Sequence, residues 1–327
     1  MRIVDLTKET AENILENMLK RSPTQYGTYE AAVNEIVTAV REKKDAAVFS
    51  YTEKFDGAKL DASSVEVTEE EVEEAYRQVD EGLIDVIRKA RANILAYHEK
   101  QKENSWFTSA EEGTLLGQKV TPLNRVGVYV PGGKAAYPSS VLMNVLPAQV
   151  AGVREICMVT PCNREGKVNP VVLAAAKEAG VQRIFKIGGA QAVAALAYGT
   201  ESIPKVDKIV GPGNIYVALA KKAVYGNVSI DSIAGPSEIL VLADETANPR
   251  FVAADLLSQA EHDELASAIL ITTSRRLAEQ VDAEIRKFLE TLSRREIMEK
   301  SLDNFGYLLV AESKAEAIET VNQIAPE

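Results

Sequence analysis

Gln259 and His262 stand three residues apart in AADLLSQAEHD, so on a helix their side chains share one face. Asp255, four residues before Gln259, falls on that face too. An amide oxygen and an imidazole make half of a zinc site, and such a half-site needs further His or Asp from elsewhere. The chain holds only two histidines; the other, His98, lies among Tyr97, Glu99 and Lys100, where a surface helix residue is expected. Ser237 and Glu238 occupy AGPSE just ahead of the run ILVLA, a place where serine is ordinarily a cap or turn residue. With no G-x-S-x-G elbow and no Asp–His pair, the pattern argues against a serine hydrolase. Cys157, inside EICMVT, reads as a core residue; Cys162, after the proline that ends that run, fits a loop residue or a reactive thiol.

Three glycine clusters follow short β-branched runs: Pro131-Gly132-Gly133, Gly188-Gly189 and Gly211-Pro212-Gly213. In open parallel sheets ligands bind outside the carboxyl ends of the strands, and glycine there lets backbone approach a phosphate. Helices starting after Gly189 and Gly213 would aim their amino termini at the same crevice, which favours anions. The fingerprint G-x-G-x-x-G is not met, because Tyr216 takes the third glycine position. Asp231, twenty residues after Gly211, has the spacing of a ribose-binding acid. The clusters fit a nucleotide crevice and fit plain tight turns.

The elements that must carry these residues show in the periodicity. Residues 1–105 read as a mainly helical region, with apolar residues at three- and four-residue spacing in TAENILENMLKR, YEAAVNEIVTAVREKKDAAVFSYTEKFD and the stretch ending AYHEKQ. From Val126 onward short β-branched runs alternate with helix-length stretches, the rhythm of βαβ units and a parallel sheet. A second set starts at SIDSIAGPSEILVLAD. The expected fold is α/β: a helical region (1–105), a nucleotide-binding α/β domain (106–236) and a second Rossmann-like parallel-sheet domain (237–327).

Bulk properties narrow the partners. A chain of 327 residues with 46% hydrophobic and 26% charged residues suits two buried cores. A net charge of −11 repels phosphate backbones and anionic lipid, which argues against nucleic acid and membrane surfaces. No apolar run suits a signal peptide or a spanning helix, so a cytoplasmic location is expected. Two closely spaced cysteines do not form a disulfide framework.

The wording of several segments resembles the histidinol dehydrogenase family. SWFTSAEEGTLLGQKVTPLNRVGVYVPGG, FKIGGAQAVAALAYGTESIPKVDKIVGPGNIYVALAKKAVYG, DSIAGPSEILVLAD, LLSQAEHD and the closing IAPE all read so, in order along nearly the whole chain. The resemblance implies a homodimeric enzyme with one zinc per subunit. It implies oxidation of L-histidinol to L-histidine through the aldehyde, reducing two NAD, as the last step of histidine biosynthesis. By matching motif, Tyr129, Gln191 and Asn214 would contact NAD, and Ser237 would contact substrate. Gln259 and His262 would bind both zinc and substrate, and Glu327 would be the carboxylate that helps activate water. Family members continue past IAPE with further histidine and aspartate residues. The 327 residues alone are therefore expected to bind zinc poorly and to turn over little. Three alternatives stay open: a related dehydrogenase for another polar diol, a non-catalytic nucleotide-binding or dimerising fragment, and an aldehyde dehydrogenase with a thiol nucleophile.

Overall fold

Capping residues mark out the first half of the chain in the computed structural model, which describes residues 1–19, 27–109, 111–132, 137–233 and 235–326. Strand β1 (Arg2–Asp5) and helix α1 (Lys8–Leu19) come first, then α2 (Gly27–Lys43), α3 (Asp45–Asp56), α4 (Glu69–Gln78) and α5 (Glu81–His98). Gly57 closes α3 with φ 72°, a left-handed value that glycine adopts without strain. Thr68 and Glu71 form a capping box on α4, and the Asp80 carboxylate caps α5. An antiparallel ribbon follows, β2 (Trp106–Ser109) with β3 (Leu115–Gln118).

The expected alternation then appears: β4 (Arg125–Tyr129), α6 (Pro138–Val150), β5 (Glu155–Val159), α7 (Pro170–Ala179), β6 (Arg183–Phe185), α8 (Gly189–Tyr198), β7 (Lys208–Val210), α9 (Ile215–Val224) and β8 (Ser229–Ile230). The strands pair in parallel in the order β6-β5-β4-β7-β8. The order reverses between β4 and β7, so the crevice outside their carboxyl ends is the topological switch point where doubly wound folds bind ligands.

The chain packs as two compact units, Gly27–Ala234 and Met1–Tyr26 with Gly235–Glu327. In the first, α2 packs on α8 and α9, while α4 and α5 pack on α6 and α7. Ala75 of α4 and Ile87 of α5 share one core with Val128, Leu146, Ile156 and Met158. Each large side chain buried there stabilises the unit by about 2 kcal/mol. Backbone bonds of 2.8 Å from Val67 N–H to the Ile184 carbonyl and from Lys186 N–H to the Val65 carbonyl fasten the segment before α4 along β6.

The second unit holds β9 (Glu238–Ala243), α10 (Pro249–Ala260), β10 (Ser267–Thr272), α11 (Arg275–Leu289), α12 (Arg295–Phe305), β11 (Gly306–Val310) and α13 (Lys314–Ile324). Its sheet runs β1-β11-β10-β9, all parallel. β1 is the strand that helical periodicity hides. RIVD is only four residues long and begins and ends on charges, which an edge strand leaves half in solvent. Both sheets are parallel and flanked by helices, as expected for two Rossmann-like halves. Among the described residues no helix is long and apolar enough to cross a membrane.

Candidate functional site

Three glycine loops meet at the carboxyl edge of the five-stranded sheet, and close packing fixes each one. A Cβ on Gly132 would lie 2.5 Å from the Pro161 ring, and one on Gly188 would lie 2.7 Å from it. Gly211, at φ +114°, presses on β4 so tightly that a Cβ would sit 2.1 Å from the Tyr129 carbonyl oxygen. Gly133 lies outside the described residues.

Tyr129, at the end of β4, is 4% exposed, and its hydroxyl accepts the Gly189 N–H at 3.0 Å. Burial pushes that hydroxyl up to about 12, so it is protonated at neutral pH. Gln191, in the first turn of α8, is 1% exposed, and its Oε1 has no hydrogen-bond partner. A buried acceptor left unpaired costs about 1–3 kcal/mol, so the position wants a donor. Asn214 caps α9, its Oδ1 accepting from Tyr216 N–H at 3.1 Å and Val217 N–H at 3.2 Å, and the residue is exposed. The edge thus gathers Tyr129, Gln191 and Asn214, residues 85 positions apart in sequence at the extremes. A cavity of about 440 Å³ opens beside Gly132, lined also by Thr160, Pro161 and Cys162 after β5 and by Ala75 of α4.

Asp231 is not the free ribose acid that its spacing suggests. Its Oδ2 accepts the Gly211 N–H at 2.8 Å and its Oδ1 pairs with Lys221. Sequence reading passed over Lys221, although Val217, Lys221 and Val224 follow helical spacing on the buried side of α9. A lysine on an apolar stripe is a signal in itself, because a buried ammonium needs partners.

In the other unit, Ser237 immediately precedes β9 and its carbonyl accepts the Ser267 N–H that opens β10. Gln259 sits in the last turn of α10, which ends at Ala260. All three belong to the amino-terminal edge of that sheet, since α10 runs back from the end of β9 to the start of β10. His262 corrects the helical expectation: it lies past the helix, in a turn where its N–H reaches the Gln259 carbonyl at 3.0 Å. His262 is exposed and Gln259 half-buried. They offer two donors to a metal, and among the described residues no group of three His, Cys, Asp or Glu could hold one. A catalytic zinc takes three protein ligands, so these two residues alone do not complete a zinc site. Glu327 lies outside the described residues.

Both cysteines are buried, and the Cys162 Sγ points at the Lys186 carbonyl. Burial pushes the Cys157 thiol up to about 12 and the Cys162 thiol up to about 11. At pH 8 the Cys162 thiolate is then roughly a thousandth of the population, too little for a nucleophile. Ellman's reagent at pH 8 is expected to label neither cysteine in the native protein and both in guanidinium; rapid native labelling of Cys162 would reopen the thiol mechanism.

The family model for histidinol dehydrogenase matches residues 19–327. The chain belongs to the histidinol dehydrogenase family. A relative from Bacillus subtilis bearing that name is 60% identical over 311 residues, 94% of this chain and 72% of the relative. One from Geobacillus kaustophilus is 58% identical over 318 residues, 97% of this chain and 74% of the relative. The crystal structure of histidinol dehydrogenase from Elizabethkingia anophelis superimposes with a TM-score of 0.92 at 38% identity, covering 100% of this chain and 74% of that one. The protein is thus an oxidoreductase of histidine biosynthesis, and histidinol oxidation is the activity its family membership supports.

Proposed function

We propose that the protein oxidises L-histidinol to L-histidine through the aldehyde with NAD as acceptor, two electrons in each of two rounds. The observation that carries the cofactor is the gathering of three glycine loops at the switch point, those of Gly189 and Gly211 on Tyr129 and that of Gly132 on Pro161, with the unpaired Gln191 Oε1 among them. By the general geometry of doubly wound sheets, the pyrophosphate lies at Pro131-Gly132 and the adenosine half over β5, in the cavity beside Thr160 and Pro161. The nicotinamide half then falls to the β7 side, at Gly211–Asn214. NAD, when bound, supplies the hydride acceptor. The chain's own part is to order the loops: the Tyr129 hydroxyl holds the Gly189 amide, and the Asn214 carboxamide, its oxygen committed to the α9 cap, keeps its NH₂ for a ligand.

Gln259 and His262 are the proposed zinc and substrate ligands, with Ser237 a further substrate contact, and Glu327 is the proposed carboxylate for water activation. The proposal includes a homodimer in the cytoplasm. Its support is the β2–β3 ribbon, which leaves Trp106, Phe107, Leu115 and Leu116 more than half exposed. A two-stranded ribbon is marginal on its own, so a second subunit is a natural cover.

The test is zinc content and NADH formation from L-histidinol, measured on this chain and on one extended to the length of its relatives, with sedimentation velocity on the same samples. Zinc uptake and two NADH per histidinol support the reading. An extended protein that holds zinc, ignores histidinol and oxidises another diol would leave the scaffold and discard the substrate.

A further inference from the structure

The loop Gly211-Pro212-Gly213-Asn214 is held at both peptide units that flank the Gly211 Cα. The Gly211 N–H donates to Asp231 Oδ2 at 2.8 Å, and the Gly211 carbonyl accepts from Lys221 Nζ at 3.0 Å. Lys221 Nζ also pairs with Asp231 Oδ1, which closes the ring of three contacts. Lys221 is 3% exposed, whereas the Asp231 side chain is about a third exposed at 32%. The lysine comes from within α9 and the aspartate directly follows β8, so two elements on the far side of the loop reach back to fix one glycine.

A simple turn does not need this. Gly211 already has its position restricted by the Tyr129 backbone, and an ammonium buried in an apolar helix face is costly unless it is paired and hydrogen-bonded. What the pair adds is orientation. With N–H and carbonyl both committed, the Gly211 peptides cannot rotate, and the loop arrives at the Asn214 cap in one conformation. The remaining glycine loops lack such a device among the contacts described: Gly132 and Gly188 rest on the Pro161 ring, and Gly189 has the neutral Tyr129 hydroxyl.

We propose that Lys221 and Asp231 are positioning residues that set the Gly211–Asn214 loop for the nicotinamide half of the dinucleotide. The inference rests on the NAD reading above. The pair touches neither the cofactor nor the reacting atoms; it acts through the Gly211 backbone.

The deciding experiment compares wild type with Lys221→Met, Asp231→Asn and the double variant by calorimetric titration with NAD and, separately, with ADP, alongside thermal melting. Each single variant leaves a polar partner unmatched and tests the pair at some risk to the fold. The double variant removes both charges together, keeps an amide oxygen for the Gly211 N–H, and so keeps the test alive if a single variant does not fold. The double variant is expected to bind NAD at least tenfold more weakly and ADP within about twofold of wild type, because ADP does not reach the β7 loop. Equal losses for NAD and ADP would mean a purely structural role and overturn the inference, as would unchanged NAD affinity. Wild type that binds ADP but not NAD, or neither, overturns the dinucleotide reading itself and this inference with it.

Discussion

Replacing Gly211 with alanine is expected to lower NAD affinity by roughly 100-fold, the equivalent of about 3 kcal/mol. Two effects add. At φ +114° an L side chain is strained whatever the space around it, and here the new methyl would lie 2.1 Å from the Tyr129 carbonyl oxygen. That oxygen cannot retreat freely, because β4 is tied to β7 through Val126–Lys208, Gly127–Ile209 and Val128–Val210. The strain is relieved most cheaply by displacing the loop, which carries Asn214 away from its place. Gly226→Ala is the matched control: φ is +98° there, but a Cβ meets nothing within 4 Å. It should cost stability through backbone strain alone and leave NAD affinity near wild type. Titration calorimetry on both variants checks this, and a Gly211→Ala protein that binds NAD like wild type would remove the β7 loop from the site.

The glycine clusters were legible in the sequence because a strand–glycine–helix boundary leaves a local signature, and three of them announced one sheet edge. Which loop touches which was not. The contact of Gly211 with Tyr129 joins residues 82 positions apart, and nothing local to either names the other. Asp231 shows the hazard of spacing alone: its distance from Gly211 suits a ribose acid, yet the carboxylate turns inward to the Gly211 amide and Lys221. His262 shows another. Three-residue spacing is the same on a helix and across the turn that follows it, and only the end of α10 at Ala260 separates the two.

The missed strands share a physical cause. β1 is four residues ending in charge, and the strand it pairs with, β11, is 305 residues away in the register Arg2–Tyr307. Every residue of β2 and β3 is exposed, so the two strands have no buried face to set an inside–outside alternation. Helical periodicity in residues 27–98 was legible, but its apolar stripes did not say that the helices would be buried on α6 through α9 rather than on one another. Amphipathicity identifies the face that is buried and leaves its partner open.

Phe185→Ala is expected to show how the site depends on that packing. Phe185 ends β6, is 0% exposed, and lies three residues before the Gly188–Gly189 loop. Its backbone carbonyl accepts the Thr160 N–H at 3.1 Å, and Thr160 lines the cavity assigned above to adenosine. The Arg183 guanidinium lies over the ring at 5.0 Å, itself paired with Glu66 at 2.8 Å from the segment that bridges β6. Deleting a fully buried phenylalanine costs about 3–5 kcal/mol in lost burial and residual cavity. In a unit the size of Gly27–Ala234 that is a fall in melting temperature of about 10 °C. Differential scanning calorimetry reads it directly, with Phe185→Leu expected to recover more than half of the loss. Because Phe185 pairs through its backbone with Val159 and Thr160 at the end of β5, loss of its buried ring is expected to loosen that edge and weaken ADP binding along with stability, unlike the Lys221–Asp231 double variant, in which ADP binding is expected to hold while NAD binding falls. A Phe185→Ala protein that melts within about 3 °C of wild type would show that the site's outer loops close over the gap, and would move the anchor of the adenosine side from β6 to the Pro161 contacts with Gly132 and Gly188.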